Sequence, residues 1–124
     1  MSNYYENDFA AYRIADGILY FLYKREVILN LDAAQKIVSD RLMVQNERAY
    51  PIFCDARWIK SADKEARDYL AKEGSIMAKA VAILVMPPVT EAIINFYMIS
   101  SKPVIPTAIF TEKSKAVEFL DAYK

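Results

Sequence analysis

The sequence predicts an α/β domain built on a mostly parallel five-stranded sheet with four helices, entered through an N-terminal β-hairpin. Three observations carry this expectation. Short apolar runs alternate with stretches of helical period, the pattern of β-α units joined by right-handed crossovers. An Asp16-Gly17 dipeptide separates two strand-like runs, where it supplies the positive φ of a type I′ turn and adds one antiparallel edge pair. The seven-residue apolar run from Ala80 to Met86 stops at Pro87-Pro88; it is too short for most helices and reads as a central strand.

Residues 1 to 8, MSNYYEND, show no periodicity and are expected to be a flexible terminus, leaving residues 9 to 124 as a single domain. The hairpin joins Ala11–Ala15 to Ile18–Tyr23. Its second strand is apolar on both faces, because side chains alternate across a strand. From Asn30 the period becomes helical, with Leu31, Ala34, Ile37, Val38 and Leu42 on one stripe and Lys36, Asp40 and Arg41 outside it. Asn30 or Asp32 can cap that helix. Tyr50–Asp55 reads as a buried strand ending in a polar group. A loop then leads into a helix that turns Ala66, Tyr69 and Leu70 inward and stops near Gly74. After the central strand, Val89, Ala92, Ile93, Phe96 and Ile99 form a third helical stripe. Pro106–Phe110 makes the last strand, and Thr111 is placed to cap a final helix carrying Ala116, Val117 and Leu120.

At 124 residues and 55% apolar content, one core burying about two-thirds of the chain's surface is expected, without staples. Sixteen basic residues balance sixteen acidic ones, so no global field draws the chain to nucleic acid or anionic lipid. The start lacks a basic and apolar leader pattern, and nowhere do eighteen apolar residues run together, so a cytoplasmic protein with no integral membrane segment is expected. One Cys and no His leave no intrachain disulfide and no expected metal site or cofactor. No phosphate-binding, zinc-protease, nucleophile-elbow or CxxC motif occurs, and nothing sets a nucleophile beside a base, so no enzyme activity is expected.

The element order resembles the SpoIIAA-like fold of bacterial STAS domains, which lipid-binding SEC14-type domains share in broad outline. At residue level the chain is similar to small bacterial SpoIIAA-like proteins labelled STAS/SEC14-like and of unassigned function. The likeness lies in DARWIKSADKEARDYL (Asp55–Leu70), AVAILVM (Ala80–Met86) with Asn95 in the following helix, and KPVIPTAIF (Lys102–Phe110). It covers about residues 10 to 122. In the anti-sigma-factor antagonists of that fold, an Asp is followed eight residues later by Asp-Ser, and the Ser is phosphorylated to switch partner binding. Counting from Asp55 puts Asp63 on the second Asp and Lys64 on the phosphorylated position, so the hydroxyl is absent there, and Ser61 is the candidate for a shifted phosphorylation site.

Ligands of open α/β sheets sit at the carboxyl ends of parallel strands, which here points to Asp55, Arg57 and the start of the next helix. Asp55 reads either as a crevice carboxylate or as an acceptor for loop N–H groups. Asp63 with Arg67, and Lys64 with Asp68, are i,i+4 pairs that mark either a docking face or a plain solvated one. Ser61 reads as a helix N-cap as readily as a modification site. Trp58 is either an interface anchor or a ring folded over the core edge. Cys54 reads as a small buried hydrophobe. Asn95 either bonds a neighbouring loop or points into a crevice.

The expected function is a non-catalytic regulatory or protein-interaction module of STAS type. Its contact surface is residues 55–68, with Asp55, Arg57, Trp58, Ser61, Asp63, Lys64 and Arg67 facing a protein partner of unknown identity. The alternative is a carrier or sensor of a small apolar ligand, as the SEC14-type resemblance implies. A homodimer is also expected, through Leu19, Phe21 and Tyr23, if no helix covers that face of the hairpin.

Overall fold

The computed structural model describes residues 4–124. The first strands are β1 (Tyr4–Glu6), β2 (Ala10–Ala15), β3 (Ile18–Tyr23) and β4 (Val27–Leu29), followed by helix α1 (Leu31–Gln45). Then come β5 (Tyr50–Asp55), β6 (Ile59–Ala62), α2 (Lys64–Lys72) with a 3₁₀ turn at Glu73–Ser75, β7 (Ala78–Leu84), α3 (Val89–Ser100), β8 (Thr107–Phe110) and α4 (Lys113–Asp121). The main sheet has six strands in the order β1-β2-β3-β5-β7-β8. β1, β2 and β3 form an antiparallel meander and β3, β5, β7 and β8 run parallel.

The sixth strand corrects the expected five. Tyr4–Glu6, assigned from sequence to a flexible terminus, pairs with β2; Met1, Ser2 and Asn3 lie outside the described residues. Asn7 holds this segment down. Its carbonyl accepts from the N–H groups of Phe9 and Ala10 at 2.8 and 2.9 Å, and its amide donates to Asp40 at 2.9 Å and to the Tyr12 hydroxyl at 3.1 Å. The β2–β3 turn has φ of 52° at Asp16 and 78° at Gly17, the left-handed pair that the Asp-Gly dipeptide favours. A second sheet, the parallel pair β4–β6, lies on the connections leading into α1 and α2.

The helices cover the faces unequally. The buried residues of α1, α2 and α3 share one core with Tyr12, Leu19, Phe21, Tyr23, Ile52 and Ile83. On the opposite face α4 packs Ala116 and Leu120 against Ile18, Phe53, Ala80, Ala82 and Leu84. Leu19, Phe21 and Tyr23 are 0%, 4% and 8% exposed inside the chain's own core, so the dimer face expected there does not exist. The large exposed apolar side chains lie elsewhere, with Val89, Phe96 and Ile99 of α3 among them.

Of the expected helix caps, one holds and one changes. Asn30 caps α1, accepting from Ala33 N–H at 2.8 Å, as one of the two expected candidates. Thr111 does not cap α4, whose N-cap is Glu112 without a side-chain hydrogen bond.

Candidate functional site

Asp55 ends β5 and is 4% exposed. One carboxylate oxygen accepts from the Arg57 backbone N–H at 3.1 Å and from Arg57 Nε at 3.0 Å, while the other accepts from Nη2 at 2.8 Å. This two-pronged grip raises the Arg57 guanidinium further above its ordinary value and fixes the turn after β5, the second of the two readings for Asp55. The pair lies in a crevice of about 280 Å³ on the α4 side of the sheet, shared with Arg13, Tyr20, Phe53, Thr111 and Lys113. Arg13 and Lys113 each sit 5.4 Å from the Tyr20 ring centroid.

The other residues of the 55–68 segment are not brought to that crevice. Trp58 is half-buried, with the Arg25 guanidinium 4.4 Å and the Arg57 guanidinium 5.7 Å from its ring. Ser61 is exposed on β6 and is not the cap of α2. Asp63 is that cap, accepting from Ala66 N–H at 2.9 Å. The i,i+4 pair Lys64–Asp68 forms at 2.6 Å and, together with a bond from Ser101 Oγ at 2.9 Å, holds the Asp68 carboxyl below its ordinary value. The Asp63–Arg67 pair does not form. Arg67 donates from Nη1 to the Ala62 carbonyl and lays its guanidinium 4.9 Å from the Phe96 ring, while its Nε is buried with no acceptor among the described residues. Asn95 is exposed and takes neither expected role.

Half-buried Arg67 borders an open space. Between the sheet and α1, α2 and α3 lies an apolar cavity of about 110 Å³, lined by Phe21, Cys54, Ile83, Ile94 and Tyr97 among others. α3 fully buries only Thr90 and Ile94 and half-buries Ile93, Tyr97 and Met98, and this shallow seating leaves the core beneath it incompletely filled. Burial pushes the Cys54 thiol and the Tyr97 and Tyr23 phenols well above their ordinary values, so all three are held protonated and uncharged. Arg41 also lines the cavity, at 4% exposure. Desolvation lowers it to about 10, and the nearby groups that oppose this are phenols, Tyr12 and Tyr23, not a carboxylate. It donates from Nη1 to Gln45 Oε1 and from Nη2 to the carbonyls of Gly74 and Ile76 at 2.9 and 3.0 Å.

Sequence reasoning placed Arg41 outside the α1 stripe, yet positions 34, 38, 41 and 45 share one helical face, and all four are buried. That spacing was the available signal. Its charge argued wrongly for solvent.

Among the described residues no cluster of three or more His, Cys, Asp or Glu side chains could hold a metal, and no helix is long and apolar enough to cross a membrane.

No curated protein matches the chain. Among solved structures it is similar to an uncharacterized protein of the DUF3478 family with a SpoIIAA-like fold from Shewanella loihica PV-4. That match has a TM-score of 0.61 and 12% sequence identity, and covers 94% of this chain and 98% of the other. The fold is therefore SpoIIAA-like, as the sequence resemblance implied. The family model described as a domain of unknown function, DUF7793, matches residues 12–124, and the chain belongs to that family.

Proposed function

We propose that the protein is a non-catalytic module that holds a small apolar ligand between the sheet and α1, α2 and α3, as its carrier or sensor. The cavity carries this reading. A core normally leaves few voids larger than a water molecule. Here the space is about 110 Å³, enough to admit a small apolar group. Apolar cavities of about 150 Å³ take up molecules the size of benzene, and most of this lining, Arg41 and Arg67 apart, is of that character. The Cys54 thiol and Tyr97 phenol, held uncharged, keep the space apolar.

Benzene titrated into ¹⁵N-labelled protein is expected to give saturable shifts at the amides of Phe21, Cys54, Ile83 and Ile94. Cys54→Phe, which fills the space, is expected to remove them. Native protein that shows no shift up to the solubility limit of benzene overturns the reading.

Trp58 favours a second reading, a protein contact across residues 55–68. Its half-exposed ring between two guanidiniums is a typical interface anchor. Asp55 and Arg57 brace the loop that presents it, and Asp63, Lys64 and Arg67 open the adjoining helix. Exposed Ser61 is then the position for a regulatory phosphate. Partners from the native host that still co-purify unchanged with a Trp58→Ala, Lys64→Glu double variant would sink this reading.

A further inference from the structure

The cavity lining contains two guanidiniums, Arg41 and Arg67, and no carboxylate. Arg41 spends its contacts on uncharged acceptors, the Gln45 side chain and the carbonyls of Gly74 and Ile76. Its positive charge therefore has no buried counter-charge. Arg67 goes further. Nη1 is taken by the Ala62 carbonyl, but Nε is buried without an acceptor and Nη2 makes no hydrogen bond among the described residues. Neighbouring acids make their hydrogen bonds elsewhere: Asp63 Oδ1 accepts from Ala66 N–H, and Asp68, which feels the Arg67 charge, accepts from Lys64 and Ser101 and not from Arg67. Leaving a donor buried and unmatched costs the full desolvation of that group, so a natural acceptor for it is to be sought in the space it lines.

The shape of that acceptor can be read from the same molecule. Arg57 grips the Asp55 carboxylate with Nε on one oxygen at 3.0 Å and Nη2 on the other at 2.8 Å. These are the two nitrogens that Arg67 leaves free. A side-on fork of this kind matches the spacing of a planar carboxylate. The walls beyond it, Cys54, Ile83, Ile94 and Tyr97, are apolar or uncharged and suit a short tail.

We propose that the cavity takes a small monocarboxylate with an apolar tail, its carboxylate seated on Nε and Nη2 of Arg67 and its tail against Cys54, Ile83 and Ile94. The volume sets the tail at about four to six carbons, branched or aromatic. Arg41 contributes its field and not a fork, because its hydrogen bonds hold the 3₁₀ turn in place. The proposal rests on reading the cavity as a ligand site and adds the chemical class of the ligand.

Calorimetric titration in carboxylate-free buffer with benzoate and isovalerate, against benzamide and isovaleramide, tests it on the unaltered protein. The acids are expected to bind about tenfold more tightly than their amides. Arg67→Lys keeps the charge and loses the fork, and is expected to lose most of that preference. Arg67→Met is expected to bring acid and amide to equal affinity. If amides and benzene bind and the acids bind no more tightly, the carboxylate assignment is wrong and the apolar-ligand reading stands. If acids, amides and benzene all fail to bind the unaltered protein, both are wrong. The comparison on unaltered protein needs no variant to fold.

Discussion

The two faces of the six-stranded sheet are covered in opposite ways. One helix, α4, seals its face because small side chains meet there: Ala80, Ala82 and Ala116 are all fully buried, and Leu120 fills what remains. Three helices cover the other face and still leave a pocket, where α3 fully buries only Thr90 and Ile94 and half-buries Ile93, Tyr97 and Met98. Close approach is set by what the facing side chains allow, not by how many helices are present. On the α4 side the free space is the polar crevice around Asp55 and Lys113. On the three-helix side it is lined mainly by apolar side chains.

Alkali should break this difference with the largest effect. Tyr12, Tyr23 and Tyr97, all on the three-helix side, have phenols raised above their ordinary value of 10.0 chiefly by burial. An unfolded phenol ionises near 10 while the folded one stays protonated, so the stability each contributes is complete below about pH 10 and is lost as pH rises above it. Arg41, lowered in the fold, acts in the opposite sense above about 10. Urea unfolding at pH 9 and pH 11 is expected to show a net loss of roughly 3 kcal/mol, about 1.4 kcal/mol from each of the three phenols less a similar amount returned by Arg41. A flat profile would contradict the burial of these rings.

Leu120→Ala should come next, costing about 3 kcal/mol in urea unfolding, because the closely packed α4 face has no slack with which to collapse around the void. Ala82→Leu, which forces methylenes into the same seam, should cost about 2 kcal/mol. The same enlargement on the other face, Cys54→Leu, should leave stability unchanged or raise it by less than about 1 kcal/mol, since the added atoms enter existing space. If Ala82→Leu and Cys54→Leu are equally costly, the contrast between the faces is wrong.

Much of the architecture was legible because it follows from local chemistry. The Asp16-Gly17 turn, the alternation along β3 and the run from Ala80 each specify an element without reference to the rest of the chain. β4 and β6, at three and four residues, are too short for periodicity to register. β1 is half polar, and its pairing depends on Asn7 reaching Asp40 and Tyr12, a contact between segments 33 residues apart. The trio Leu19, Phe21 and Tyr23 was read correctly as needing cover. Whether that cover came from a helix or from a second chain depended on which face the crossovers took, and α1, α2 and α3 all took the same one. The cavity was not legible at all, because it arises from how deeply α3 sits. The i,i+4 spacing of Asp63 and Arg67 suggests a surface pair, but Asp63 caps α2 and Arg67 donates to the Ala62 carbonyl and lies over the Phe96 ring instead.

The short meander at the start of the chain has a colloidal consequence. Any open sheet presents unpaired backbone N–H and C=O groups along its two borders, and long flat borders recruit other chains into growing ribbons. Here one border is the three-residue β1, flanked by the Glu6–Lys24 ion pair at 2.8 Å. The other is the four-residue β8, preceded by Pro103 and Pro106, which have no N–H to offer. Without β1, the border would be the six-residue β2, Ala-Ala-Tyr-Arg-Ile-Ala, a longer and less charged template. Three paired residues thus bear on whether concentrated solutions stay clear.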